Sequence, residues 1–468
     1  MRKLSQSLLF ALTLSPLFAT ASERFIDYFI TTPGTLGDGH RAAFERVIAD
    51  IDARRFPAAE MNLARLLADD SIEGPARANL LADLGILKAV NAGADEGLLD
   101  ITAAIDLMEA SEGPFDTALI ELLVARAAIS QDLEAYEVAE ESLRRAQHIA
   151  HRQDGVYTQN QLPIVRQLTH VHLAQGLVYS ADREQRFNLK ISEQVYGEDS
   201  PEIVGVLQQV GGYFANRGAA LPVIPPITSK QFQTEAEAFT EQYRLSLFRE
   251  SVELYDRAIR ILEDSHGPND LSLVPALKGL AEARLLQRTS TRYAEKAMER
   301  VLSIVESNPG TDIADHARAL VDLGDTYTIT ADNRANEAYL KAWNLLTENP
   351  GYEDVRNELF GTPKRIFPEN VRVIVLDRHP ISVEPGEPLF ANVEFSVVDS
   401  GRVARVRVVD GNVPNDEKNM LRRHMRNARF RPRIVDGEIV ATEGLMLHQT
   451  FEVIEPEPEF NASFETGP

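Results

Sequence analysis

The stretch Tyr196-Gly-Glu-Asp-Ser-Pro201 is a short polar break between two apolar, helix-like segments, and its glycine recurs at a fixed spacing. Gly113 lies in Glu112-Gly-Pro-Phe-Asp116 and Gly155 in Asp154-Gly-Val-Tyr157, so Gly113, Gly155 and Gly197 are 42 residues apart in turn. The next break, Ser265-His-Gly-Pro-Asn-Asp270, comes 70 residues later, one period plus 28, and Asn308-Pro-Gly310 follows after 43 more. Glu73-Gly-Pro75 is an earlier break of the same kind. Self-similarity at such a period is the mark of a repeat architecture. The surplus residues fall at 219–250, where a Pro-rich loop, Leu221-Pro-Val-Ile-Pro-Pro226, precedes a polar helical stretch from Lys230 to Phe248. This reads as an insertion within one repeat.

Aligned on the breaks, the following helices share a column of small residues: Gly85, Ala127, Thr169, Gly211, Ala281 and Gly324. A large residue usually precedes it, as at Leu84, Leu168, Val210, Leu280 and Leu323. Small side chains at a recurring position let two helices approach closely. A second helix follows in each unit, with apolar spacing at i, i+3 and i+6 or i+7 in Leu143-Arg-Arg-Ala-Gln-His-Ile149 and Tyr255-Asp-Arg-Ala-Ile-Arg-Ile-Leu262. Ala104, Ala146 and Ala258 share a column there, with Asn188 and Val301 at the matching places. Phe44 to Leu67, with Phe56-Pro-Ala-Ala-Glu60 between its helices, reads as the first pair. One amphipathic pair cannot bury its face alone, whereas stacked pairs bury a continuous core.

This pattern resembles the tetratricopeptide repeat, in the long-repeat variety of the kinesin light chain, over roughly residues 38–350. Tyr196-Gly-Glu-Asp-Ser-Pro201 is the best local match to the break that starts each of those repeats. The resemblance implies a mainly α chain, with an α-solenoid of about seven helical pairs over residues 22–363. It also implies that the first helix of each pair lines a concave groove. The residues just before the small column would then face a partner: Asp83, Arg166, Gln167, Gln208, Gln209, Lys278 and Asp322. Such a groove, polar and mixed in charge, suits an extended peptide. The plainer reading makes them ordinary solvated positions.

Near Gly361-Thr-Pro363 the helical pattern gives way to period-two alternation. Leu389, Ala391, Val393, Phe395 and Val397 alternate with mostly polar neighbours, as a half-buried strand does. Asp399-Ser-Gly401 reads as a turn, and Arg402 to Val409 as a second strand with Ala404, Val406 and Val408 on one face. A helix capped by Asn415 and running to about Asn427 would place Met420, Leu421 and Met425 inward. Phe430-Arg-Pro-Arg433 ends that unit, Asp436-Gly437 is a hairpin turn, and a last strand spans about Glu443 to Val453. This β-β-α-β order resembles the C-terminal domain of TonB. The resemblance rests on Val393-Glu-Phe-Ser-Val397, Gly401-Arg-Val-Ala-Arg-Val-Arg-Val408 and Phe430-Arg-Pro-Arg433 with Asp436-Gly437. It implies a small α/β domain over 364–456, before a flexible tail at 457–468, with an exposed strand edge able to pair with a receptor peptide. The chain lacks the uncleaved anchor and long Pro-rich linker of a TonB transducer, so energy transduction is not carried over.

The beginning of the chain reads differently. Arg2 and Lys3 precede an apolar run from Leu8 to Phe18, and Ala19-Thr20-Ala21 has the small-x-small form of a cleavage site. Residues 1–21 are therefore expected to be a signal peptide and the mature protein to be periplasmic. Interrupted by Ser15 and Pro16, the run is poorly suited to span a bilayer roughly 30 Å thick. No cysteine is present, which excludes disulfides, zinc thiolates and cysteine nucleophiles. Of the net charge of −23, residues 364–455 contribute nothing, with fourteen basic and fourteen acidic side chains, so the acidity lies in the helical part. Such a surface disfavours nucleic acid and anionic lipid.

Arg422, Arg423, Arg426, Arg429, Arg431 and Arg433 form a basic cluster, either a solvated face or a docking patch for an acidic surface such as this chain's own helical part. His148 and His151 are one helical turn apart, with His170 and His172 in the next unit, but no carboxylate completes an obvious metal set. Gly34-Thr-Leu-Gly-Asp-Gly-His40 lacks the Gly-Lys-Ser/Thr ending of a phosphate loop and reads as a flexible start. Neither a Gly-x-Ser-x-Gly elbow nor a His-Glu-x-x-His segment appears. The expectation is a non-enzymatic interaction scaffold without cofactor, binding a protein or peptide in the cell envelope. The alternative is a TonB-related accessory factor that engages outer-membrane receptors.

Overall fold

The glycines that set the sequence period close helices. Gly113, Gly155, Gly197 and Gly267 have φ of 97°, 93°, 94° and 93°, a region that residues with a Cβ rarely adopt. Each amide caps its helix by donating to the carbonyl four residues back, at 2.9, 3.2, 3.0 and 2.9 Å. The break at Asn308-Pro-Gly310 works differently: the Asn308 side chain donates to the carbonyls of Ile304 and Asn269 at 2.8 and 2.9 Å.

These caps appear in a computed structural model that describes residues 23–221, 235–287, 291–367, 373–376 and 389–453. Helices follow in consecutive pairs. They are α1 (Asp38–Asp52) with α2 (Phe56–Leu67), α3 (Gly74–Asn91) with α4 (Ala94–Glu112), α5 (Leu119–Asp132) with α6 (Tyr136–Asp154), and α7 (Gln161–Ala174) with α8 (Val178–Tyr196). Then come α9 (Val204–Ala220) with α10 (Glu235–His266), α11 (Leu273–Gln287) with α12 (Thr291–Ser307), α13 (Ile313–Thr330) with α14 (Ala335–Glu348), and the single helix α15 (Glu353–Phe360). From Glu235 on, the polar stretch expected within the insertion and the helix after it are one 32-residue helix, α10. The proline-rich part of the insertion lies outside the described residues, as do the expected signal segment and the tail. Among the described residues no helix is long and apolar enough to cross a membrane.

The small column marks close helix contacts. A Cβ on Gly85 would stand 2.7 Å from the Gly97 carbonyl oxygen, one on Gly211 3.1 Å from the Tyr255 ring, and one on Gly324 2.6 Å from the Tyr339 ring. Ala127, Thr169 and Ala281 in the same column are buried, as are Ala104, Ala146 and Ala258 in the second-helix column.

The chain divides into two compact units, one up to Val210 and one from Gly211 on. In the first, a 3-10 turn at Glu23–Tyr28 packs on α3 and α5 and buries Phe25. The glycine-rich start is structured rather than loose, with a 3-10 turn at Pro33–Thr35 and α1 beginning at Asp38.

In the second unit the helices lead into strands: β1 (Lys364–Phe367), β2 (Val373–Leu376), β3 (Leu389–Val397), β4 (Val403–Gly411), then α16 (Asn415–Asn427), β5 (Arg429–Arg431), β6 (Arg433–Val435), β7 (Glu438–Val440) and β8 (Thr442–Val453). A four-stranded sheet has the order β2-β8-β3-β4, β2 parallel to β8 and the other pairs antiparallel. β1 pairs with β5, and β6 with β7 across Asp436-Gly437, whose φ of 51° and 83° fit the tight hairpin read from the sequence. The alternation in β3 holds: Leu389, Ala391, Val393, Phe395 and Val397 are all buried. Leu421 and Met425 of α16 are buried, four residues apart, whereas Met420 is exposed rather than inward, because it stands off the stripe those two define.

Candidate functional site

The strands are fixed to the last helices of the second unit by an ion pair between a buried arginine and a half-buried aspartate. Arg431 of β5 donates from Nη2 to Asp325 Oδ2 at 2.6 Å and from Nε to Oδ1 at 3.0 Å, the two-point fork that suits guanidinium and carboxylate. Its Nη1 donates to the Leu359 carbonyl at 3.3 Å. The Tyr339 hydroxyl donates to Asp325 at 2.8 Å and lies 2.9 Å from the Thr328 hydroxyl. Burial pushes the Asp325 carboxyl up from its ordinary value, against the hydrogen bond and charge of Arg431. Burial also lowers the Arg431 guanidinium, but Asp325 more than offsets this and the net shift is upward. Gly401, in the turn between β3 and β4, completes the seam: at φ 71°, a Cβ there would stand 2.1 Å from the Phe430 carbonyl oxygen and 2.8 Å from the Thr328 methyl.

A cleft of about 470 Å³ opens beside this pair. Arg244 of α10, Lys278 and Glu282 of α11, Asp322 and Thr326 of α13, and Lys364 and Arg365 of β1 line it, with Leu285, Leu286 and Met298 as its apolar part. Lys278 and Asp322, both read from the sequence as groove positions, form an ion pair at 2.6 Å in its wall. Arg244 is held by Glu241 at 2.7 and 2.8 Å. Arg365 donates from Nη2 to His424 Nε2 at 2.9 Å, and among the described residues its buried Nε has no acceptor.

The other sequence-derived positions fall elsewhere. Asp83 is a correction: it is fully buried, and its carboxylate accepts from the amides of Ile30 at 2.7 Å and Thr31 at 3.0 Å. It anchors the N-terminal segment instead of facing an open groove, and burial pushes it up to about 7 against those two hydrogen bonds. Gln167 is also buried and accepts from Gln131 at 3.1 Å. Arg166 and Gln209 are exposed and Gln208 is half-buried.

The arginine cluster divides. Arg431 is buried, and Arg429 donates to the carbonyls of Asn427 and Ala428. Arg422 donates to Asn419, while Arg423, Arg426 and Arg433 are exposed. The histidines have different partners: His148 packs on Phe115, His151 on Phe187, and His172 is buried 3.2 Å from Glu140. Among the described residues no group of three or more His, Asp and Glu side chains could hold a metal. The positions missed in the sequence are Lys364, Arg365 and His424. Their one visible signal was the basic pair immediately after Thr362-Pro363, where the helical pattern stops.

No protein-family model matches the chain, and no curated protein matches it. Solved structures are similar to it in part, two of them as follows. One is BtubC (BKLC) from P. vanneervenii, 17% identical with a TM-score of 0.36, matched over 56% of this chain and 94% of that one. The other is a tetratricopeptide repeat protein from Parabacteroides merdae, 15% identical with a TM-score of 0.34, matched over 69% of this chain and 98% of that one.

Proposed function

We propose that this chain is a non-enzymatic interaction scaffold of tetratricopeptide type, exported to the periplasm, that holds an extended protein or peptide partner. The observation that carries the reading is the cleft beside β1. Its walls combine paired and unpaired charges with the side chains of Leu285, Leu286 and Met298, a mixture suited to a peptide's polar backbone and occasional apolar side chain. Repeated helical pairs supply a rigid frame for such a surface.

The test is site-specific photocrosslinking in the cells that make the protein. A photoreactive residue at Ala219 or Ile329, both in the cleft lining, is expected to give an adduct with one and the same protein. A third placement, at the exposed Lys341 of α14, is expected to give none. No adduct, or the same adducts from all three positions, would overturn the proposal.

A second reading, a TonB-related accessory factor for outer-membrane receptors, draws support from β4. That strand ends the sheet order, and among the described residues nothing pairs with its outer edge. Its pairing with β3 is interrupted by two register shifts, which blunt an edge against casual pairing. A receptor peptide that perturbs the amide signals of β4, and not those of the cleft, would favour this reading.

A further inference from the structure

We infer that the cleft recognises an acidic peptide segment, with Lys364 and Arg365 of β1 receiving its carboxylates. This rests on the scaffold reading and names the chemistry of the partner. The argument begins from charge that the fold leaves over. Of the cations lining the cleft, Arg244 is matched by Glu241, Lys278 by Asp322 and Arg431 by Asp325. Lys364 is exposed, and among the described residues neither it nor Arg365 has a carboxylate partner.

Arg365 is the sharper case. Among the described residues its side-chain hydrogen bond is to His424, which accepts through Nε2 and is therefore neutral. Its Nε, among the described residues, is buried without an acceptor, so nothing on the protein side offsets the guanidinium's desolvation there. Burial lowers both Arg365 and His424 from their ordinary values, as it does for cations without a counter-charge. An incoming carboxylate supplies that charge.

The choice of a peptide follows from the surroundings. The acidity of the helical part repels a continuous polyanion, whereas a peptide can space a few carboxylates between uncharged residues and present them to one local cation pair. The cleft, at about 470 Å³, holds a few side chains.

The experiment is fluorescence anisotropy with the full chain and a labelled decapeptide of alternating glutamate and serine, beside its glutamine–serine counterpart. The acidic peptide is expected to bind saturably and more weakly as salt rises, and the glutamine peptide not to bind. Arg365→Gln is expected to weaken binding about tenfold, the loss of one charge-assisted hydrogen bond. Lys364→Gln, at an exposed position that leaves folding intact, is expected to weaken it several-fold. The paired change Arg423→Gln and Arg426→Gln, on exposed positions of α16, is expected to leave affinity unchanged.

Undiminished affinity in both β1 variants, equal loss in the α16 variant, or equally tight binding of a thymidine oligonucleotide would each overturn the inference. If adducts at Ala219 and Ile329 form while the acidic peptide never binds, the scaffold reading stands and the acidic preference falls. If the peptide binds by these residues and no adduct forms, the recognition chemistry stands and the cellular reading falls.

Discussion

Replacing Arg431 with methionine would leave the half-buried Asp325 with the Tyr339 hydroxyl as its remaining side-chain donor. Breaking a buried pair from one side costs about 3–5 kcal/mol, whereas replacing both partners by apolar groups is often near neutral. Asp325 is half-buried and opens onto the cleft, so Arg431→Met is expected to lower stability by less than that, and Arg431→Met with Asp325→Leu to recover most of the loss, in urea unfolding followed by circular dichroism. A double variant no more stable than the single one would refute this. At Asp83 the folded-state value is raised to about 7, so folding favours the protonated form. That contribution is complete below the unfolded value of ~3.9 and is lost as pH rises through about 7. The stability difference between wild type and Asp83→Asn is thus expected to shift against the wild type between those limits, and a pH-independent difference would contradict it. Neither residue could be placed from sequence alone. Arg431 stood among six arginines, and its partner is 106 positions away; Asp83 has the spacing of an open groove position, but a segment before the first helix covers it.

The helices were the most legible elements because their ends and contacts each demand a particular residue. A cap at φ near 95° needs glycine, and a helix pressed against a tyrosine ring needs one too. A Cβ on Gly279 would stand 2.2 Å from the Tyr255 ring, and one on Gly324 2.6 Å from that of Tyr339, itself fixed by Asp325 and Thr328. Alanine improves intrinsic helix propensity by up to ~1 kcal/mol over glycine, but overpacking costs about 1–3 kcal/mol, and with the ring unable to yield the second effect wins at Gly324. Gly279→Ala and Gly324→Ala are expected to destabilise, while Gly205→Ala in α9, open to solvent, is expected to be neutral or stabilising. Thermal melts of the three variants check the ranking. The strands were legible in proportion to their length. β3, with nine residues, displays its alternation, whereas β5, β6 and β7 have three each, too few to show a period. Those strands form because partners hold them, β5 on β1 and β6 on β7.

For the molecule as a whole, the sequence announced a change of architecture at Gly361-Thr-Pro363, and the strands do begin at Lys364. What spacing could not convey is that strands and preceding helices share one packing unit, since that depends on contacts such as Arg431 with Asp325 and Gly401 with Thr328. The same fact limits what can be learned by cutting the chain at 363, because a cut there removes Lys364, Arg365 and Arg431 together and strips the partner from Asp325. A gentler readout is built in. The chain has a single tryptophan, Trp343 of α14, and the β6–β7 turn closes over it, with the position a Gly437 Cβ would take 3.8 Å from the indole Nε1. The Arg356 guanidinium stands 5.0 Å from the ring centroid. Release of the hairpin would wet that indole, so in Arg431→Met the emission maximum is expected to move to longer wavelength at lower urea than the loss of far-ultraviolet helical signal. Coincident transitions would mean that strands and helices melt as one. The chain thus carries its own optical reporter at the seam, readable without a label and in the wild-type sequence.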